Sequence, residues 1–323
     1  MAPGRRDPGG SGGLQSEAAC AGGRGSVCRM FGFRSAVPSQ AHRSLVQAEN
    51  ALSDQSLHHP DGWGIGWILD DDAYVIKSAN AAHACDRFQR ASQRLTSHTF
   101  LAHVRRATVG TVEHVNAHPF RCGRWLFAHN GTIFGFDRIR GWLEDRIEPG
   151  LRPLIHGDTD SERLFFFVLS RLGQAGIDPT GRSPSGASMV AQIVRGALLE
   201  LDALAVSLGM DRPILNVLLT DGRLLVAHRA GMPLLLSTQK RCCADLHTCT
   251  EPSKVCMEPA RSDAPVNHLS IASERIGEEE NRWENIADGA TVLLDNHFRI
   301  TVEPPMAGWE APVLPPGAPR IGG

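Results

Sequence analysis

The chain has 323 residues, of which 42% are hydrophobic and 21% charged, values of a folded protein with a sizeable core rather than a disordered chain. Thirty-three basic against 35 acidic residues give a formal net charge of −2, so no electrostatic signal favours a nucleic acid or an anionic membrane as partner. No apolar run reaches bilayer length, and Arg5 and Arg6 are not followed by the apolar segment of a secretory signal, so a cytoplasmic protein is expected.

Residues 1–27 hold eight glycines and almost no large apolar side chain. Such a segment cannot bury enough surface to offset its ordering entropy, and it reads as a disordered leader, a propeptide or a mis-assigned start. The texture changes at Cys28, where "CRMFGF" reads as a short strand. In "QAHRSLVQAENAL", Ala41, Leu45, Ala48 and Leu52 fall at helical spacing. "WGIGWIL" and "AYVIKS" read as strands joined by an acidic turn, and "HTFLAHV" and "RWLFAHN" as two more around a polar loop. A helix is expected after Asp158 and another over 188–208. "PILNVLLT-DG-RLLVAHRA" predicts a hairpin on a type I′ turn at Asp221-Gly222. "NHLSIASE" and "TVLLDNHFRI" predict late strands, and 303–323 an irregular Pro/Gly-rich tail. Strands and helices come in blocks without βαβ alternation, which predicts an α+β fold with antiparallel sheets. There is no Walker-type loop and no Gly-x-Gly-x-x-Gly between a strand and a helix, so neither nucleotide chemistry nor a cofactor is expected.

Four segments carry chemistry: Cys28 opening the first strand; "AHVRRATVG" (102–110) with "NAHPF" (116–120); "AHNG" (128–131); and "GDTDSE" (157–162). In this order they resemble the class II glutamine amidotransferases, whose domain is an N-terminal-nucleophile hydrolase. The resemblance covers residues 28 to about 300. "HHPDGWGIGW" and the opening Cys-Arg are similar to a stand-alone branch that includes the γ-glutamyl hydrolase of ergothioneine synthesis and a subunit of a glutathione-degrading complex. The resemblance implies a four-layer αββα sandwich over 28–302. It also implies cleavage of the γ-carboxamide of glutamine or a γ-glutamyl compound through a thioester on Cys28. Water, or a partner subunit that takes up ammonia, would complete the turnover.

The residue types suit these roles. A cysteine nucleophile needs a base, and in this family the base is the cysteine's own α-amine, with an ordinary pKa of about 7.7–8.0. Cys28 would then be residue one of the mature chain, freed either by cleavage after Val27 or by initiation at a valine codon at position 27. Asn130 and Gly131 offer a side-chain amide and a backbone N–H for an oxyanion hole. By resemblance Arg105 grips the substrate α-carboxylate, Asp160 pairs its ammonium, and Thr108 helps to line the pocket. Each has a plainer reading beside it: a buried structural cysteine, an Asn-Gly turn, a helix cap at Asp158–Asp160, a surface arginine, a satisfied structural histidine at His118. Arg106 and Val109 stand where the synthase branch of the family has Trp and His.

Three rival readings follow. Glu113, His114 and His118 would share a face only on a helix, and Gly110 and Pro119 argue for a loop instead. Cys243, Cys249 and Cys256, with Cys242 and His247 nearby, lie in a Cys-rich insertion at about 238–265 and are candidates for structural zinc, but they lack paired Cys-x-x-Cys spacing. A catalytically silent amidotransferase-like regulatory or binding subunit is the non-enzyme alternative, since a blocked amine would leave Cys28 without its base.

Overall fold

The computed structural model describes residues 28–180, 186–241 and 264–314. The leader and the cysteines at 242–256 lie outside the described residues. The first sheet is centred on β1 (Arg29–Gln40), which pairs with β4 (Thr96–Val104) on one side and β10 (His268–Ala272) on the other. Beyond β4 lie β2 (Trp63–Leu69) and β3 (Asp72–Ser78); beyond β10 lie β9 (Leu235–Lys240) and β11 (Asn281–Asn285). The second sheet runs in the order β13 (Ile300–Glu303), β12 (Thr291–Leu294), β8 (Leu225–His228), β7 (Ile214–Thr220), β6 (Trp125–Thr132), β5 (Phe120–Cys122). All pairs in both sheets are antiparallel.

Period-2 alternation stacks the layers. Met30, Leu101, Leu126, Ala128, Leu218 and Leu269 meet in the apolar layer between the sheets. Their strand neighbours Phe31, Phe100 and Ala102 face outward from the first sheet, under α1 (Leu52–Gln55), α2 (Asp86–Arg94) and a helical turn at Arg43–Gln47. Phe127, Val217 and Leu219 face outward from the second sheet, under α3 (Phe136–Arg146), α4 (Asp160–Gln174) and α5 (Ala187–Ser207). The result is the α+β, four-layer αββα sandwich.

The expected helix over 40–52 is corrected. β1 runs through Gln40, and Asn50 at φ +53° breaks the chain between the turn at Arg43–Gln47 and α1. Ala41, Leu45 and Leu52 are still buried. The Asp221-Gly222 turn is corrected too. Residues 221–224 form the connection, and only Gly222 has positive φ. The Asp221 carboxylate accepts from the N–H groups of Arg223 and Leu224, an Asx turn that replaces the two-residue loop. Both central residues of the acidic Asp70-Asp71 turn are left-handed, as a type I′ turn requires. "TVLLDNHFRI" forms two strands, β12 and β13, rather than one.

Candidate active site

Cys28 immediately precedes β1 and is half-buried. Register places Arg29 opposite Val104 at the end of β4, so the residues just after β4 lie beside Cys28. The main-chain N–H of Arg106 donates to Cys28 Sγ at 3.2 Å, and the thiol lies 3.3 Å from Arg106 O. Residues 105–107 are themselves fixed. Arg105 N donates to Gly62 O at 2.7 Å, Asp61 N to Arg105 O at 3.0 Å, and Ala107 N to Asp61 Oδ2 at 2.9 Å. Burial pushes the Cys28 thiol up. The Arg106 N–H, the Arg105 and Arg29 charges and the thiol's own main-chain N–H pull it back only partly.

β6 delivers Asn130 and Gly131. Asn130 is buried, and its Nδ2 donates to Ser273 Oγ at 3.0 Å. Ser273 in turn accepts from Met30 N at 3.1 Å and donates its own N–H to Met30 O. One hydroxyl therefore ties the Asn130 amide to β1, the strand that follows Cys28. Asn130 Oδ1 is buried with no hydrogen-bond partner among the described residues. At Gly131 a Cβ would stand 1.8 Å from Ile214 O and 2.5 Å from His129 Nε2, so no side chain fits.

Beyond β6, Ile133 N donates to Asp160 Oδ2 at 2.9 Å, and Asp160 Oδ1 accepts from Ser161 N at 2.8 Å. The helix cap is Thr159, whose Oγ1 accepts from Glu162 N. Asp160 is thus the clasp between β6 and α4, not the cap. Thr108 is exposed, and its hydroxyl lies 3.2 Å from that of Thr132 at the end of β6. The Arg105 guanidinium is buried and donates to the carbonyls of Thr111 and Val109, each at 2.8 Å, and of Gly110 at 3.4 Å. Two of its five N–H groups are left over.

Asn116 of the "NAHP" segment closes the circuit. Its Nδ2 donates to Thr111 O at 3.0 Å and to Asp158 Oδ1 at 2.6 Å, and its Oδ1 accepts from Asp158 N. The four sequence segments are therefore one hydrogen-bonded unit around Cys28. His118 departs from expectation: it is buried, but neither ring nitrogen has a partner among the described residues. Its ring centre lies 4.3 Å from that of His103, the planes tilted by 40°, and burial and neighbouring positive groups hold both rings neutral, well below the usual histidine range.

Sequence reasoning missed Ser273, Asp61 and Glu274. Glu274 accepts from Arg29 Nε at 2.7 Å and from Asn50 Nδ2 at 3.2 Å, which braces the first residue of β1. For Ser273 and Glu274 the only signal was the polar "SE" that ends the strand-like "NHLSIASE"; Asp61 lies within "HHPDGWGIGW". Among the described residues no group of three or more His, Cys, Asp or Glu is placed to hold a metal; Cys243, Cys249 and Cys256 lie outside them. No described helix is long and apolar enough to cross a membrane.

The model of the family "Glutamine amidotransferases class-II" matches residues 27–312. The chain belongs to the class II glutamine amidotransferases. Similar proteins include an uncharacterised protein of Methanocaldococcus jannaschii, 33% identical over 40% of this chain and 35% of that protein. The YafJ protein of Escherichia coli K12 is 28% identical over 62% of this chain and 72% of YafJ. The γ-glutamyl-hercynylcysteine sulfoxide hydrolase of Mycobacterium tuberculosis CDC 1551 is 40% identical, but over only 24% of this chain and 34% of the hydrolase. The match thus spans about a third of two of these three relatives. The amidotransferase fold itself recurs in a glutamine aminotransferase class-II domain protein from Silicibacter pomeroyi (TM-score 0.58, 17% identity, 86% of this chain, 98% of that one). It recurs again in glutamine phosphoribosylpyrophosphate amidotransferase of B. subtilis (TM-score 0.54, 14% identity, 86% of this chain, 49% of that one).

Proposed function

We propose that the chain hydrolyses the γ-carboxamide of glutamine or a γ-glutamyl compound, with Cys28 as nucleophile. Cys28 Sγ attacks the γ-carbonyl carbon, and the C–N bond breaks to leave a γ-glutamyl thioester. The proton taken from the thiol by the Cys28 α-amine goes to the leaving nitrogen. Water then adds to the thioester, its proton returns through the same amine, and the C–S bond breaks to give the γ-carboxylate and free thiol. One observation carries the reading: the Asn130 amide is tied through Ser273 to Met30, two residues from a thiol that is itself held by Arg106.

The amine must be free, so the mature chain begins at Cys28. The family match starting at residue 27 fits this. The oxyanion forms against Asn130 and Gly131. Turning the Asn130 amide end for end lets the Ser273 hydroxyl donate to Oδ1 and puts an N–H where the orphaned oxygen now lies. A donor of that kind contributes about 3–4 kcal/mol to a transition state. Asp160 supplies the negative charge for the substrate ammonium, and Arg105 the positive charge for its carboxylate through its two remaining N–H groups. Thr108 lines the pocket rim. Water is the acceptor in this reading, in keeping with the hydrolase name of the mycobacterial relative; a partner subunit that takes up ammonia is the variant of it. Cys28, Cys85 and Cys122 are free thiols, which suits the cytoplasm.

The test is intact-mass analysis of purified protein before and after 6-diazo-5-oxo-norleucine. A chain starting at Cys28 that gains one adduct, absent in Cys28→Ala, is expected. A chain that keeps residues 1–27 and takes no adduct points to the catalytically silent binding subunit instead.

A further inference from the structure

The two sheets end on the same side of the sandwich, at β3 in one and β5 in the other. Between these edge strands and the start of α4 lies a cavity of about 940 Å³ lined by none of Cys28, Arg105, Arg106, Asn130, Gly131 or Asp160. That volume is ample for a small organic ligand. Its floor is apolar: Phe120, Phe166 and Cys122 are buried there, flanked by Val75 and Ile76. Its charge is basic. Lys77 Nζ sits 4.8 Å above the Phe120 ring, and Arg87 and Arg121 stand exposed at the rim.

None of these three cations forms an ion pair with a carboxylate among the described residues. Arg87 and Arg121 each donate to a main-chain carbonyl, that of Lys77 and that of Ala73. The one acidic residue in the lining, Glu162, is already engaged by the N–H groups of His156 and Gly157. His114 and His156 complete the polar rim. An apolar floor beneath unpaired cations is complementary to a molecule with a flat or branched hydrocarbon body and one anionic group.

We propose that this cavity is a second ligand site, for a small organic anion whose apolar body lies on Phe120 and Phe166 and whose anionic group is held by Lys77 and the rim arginines. The site stands apart from the Cys28 chemistry, and its test does not require the enzyme to turn over. Burial, partly offset by the facing charge of Glu162, brings the Lys77 ammonium down to about 8, which adds a pH signature: the anion-holding charge fades as pH rises past that value.

The experiment titrates the full-length protein with 8-anilinonaphthalene-1-sulfonate, an aromatic sulfonate. Its uncharged counterpart, N-phenyl-1-naphthylamine, is titrated in parallel. One saturable equivalent of the sulfonate is expected. Lys77→Met should weaken it at least tenfold while changing the neutral amine less than twofold. Wild-type affinity for the sulfonate should fall between pH 7 and pH 9.5, and Lys77→Arg should flatten that fall. If Lys77→Met does not fold, the Arg87→Gln/Arg121→Gln double variant should weaken the sulfonate several-fold. The inference is overturned by no saturable sulfonate binding, or by binding that none of these substitutions changes.

Discussion

Ser273→Ala separates a structural from a catalytic role at the join between the two sheets. Its hydroxyl serves two buried groups, Met30 N at 3.1 Å and Asn130 Nδ2 at 3.0 Å. The substitution leaves the main-chain bond from Ser273 N to Met30 O in place, so β1 keeps its position. It orphans the Met30 N–H, which costs about 1–3 kcal/mol of stability. It also frees the Asn130 amide to rotate. If Asn130 is the oxyanion donor proposed above, Asn130→Ala should lower kcat about 10²–10³-fold. Ser273→Ala should lose part of that, about tenfold, in kcat rather than KM, because the amide's grip is needed in the transition state. The assay is kcat on a γ-glutamyl anilide for both single variants and the double variant, with urea unfolding in parallel. Ser273→Ala should be nearly silent in kcat when Asn130 is already alanine, since it acts through that side chain. Equal kcat losses in the two backgrounds, or no loss in either, would refute the positioning role.

Other predictions follow from the same geometry. His228 and His268 are pulled by burial to about 3, and His103 and His118 well below their ordinary value, so all four are neutral in the fold. The unfolded chain binds these protons first. The stabilisation is therefore whole above about pH 6.5 and is lost as pH falls below it, by up to about 1.4 kcal/mol per histidine per unit; urea melts at pH 7.5, 6 and 5 should show this slope. Gly131→Ala drives a methyl into the Ile214 carbonyl and should lower stability by about 3 kcal/mol, visible as a depressed Tm or insoluble protein. Arg105→Lys keeps the charge but cannot reach three carbonyls at once, so limited proteolysis near residues 109–111 should quicken and KM rise at least tenfold.

The layering was legible because alternation in "RWLFAHN" and "HTFLAHV" places successive residues on opposite faces of a sheet. The buried cores confirm it: Leu126 and Ala128 face one way, Trp125 and Phe127 the other. The helix at 40–52 was misread because its apolar spacing is also met by two short turns around a left-handed Asn50. The strands β9 and β11 went unpredicted; β11, "NRWEN", is largely exposed and carries no alternation to read. At the site, Cys28 and Asn130-Gly131 were legible as residue types. Ser273 was not, because a lone serine becomes informative only once β10 is known to lie beside β1.

The motifs form a scaffold as well as the proposed substrate contacts. Asn116 holds Thr111 and Asp158; Arg105 holds residues 109–111; Asp160 holds Ile133; Asp61 holds Ala107. Each bond joins one loop to another across a long sequence gap or braces a loop end, and together they seat Arg106 N against Cys28 Sγ. A thiol whose pKa is raised by burial is a poor nucleophile unless a base stands beside it. In the mechanism proposed above, the scaffold's contribution is to fix the thiol where the Cys28 amine would deprotonate it and where Asn130 would meet the resulting oxyanion. Loosening the scaffold at Asn116, remote from the thiol, should then lower the rate without altering any group that touches substrate.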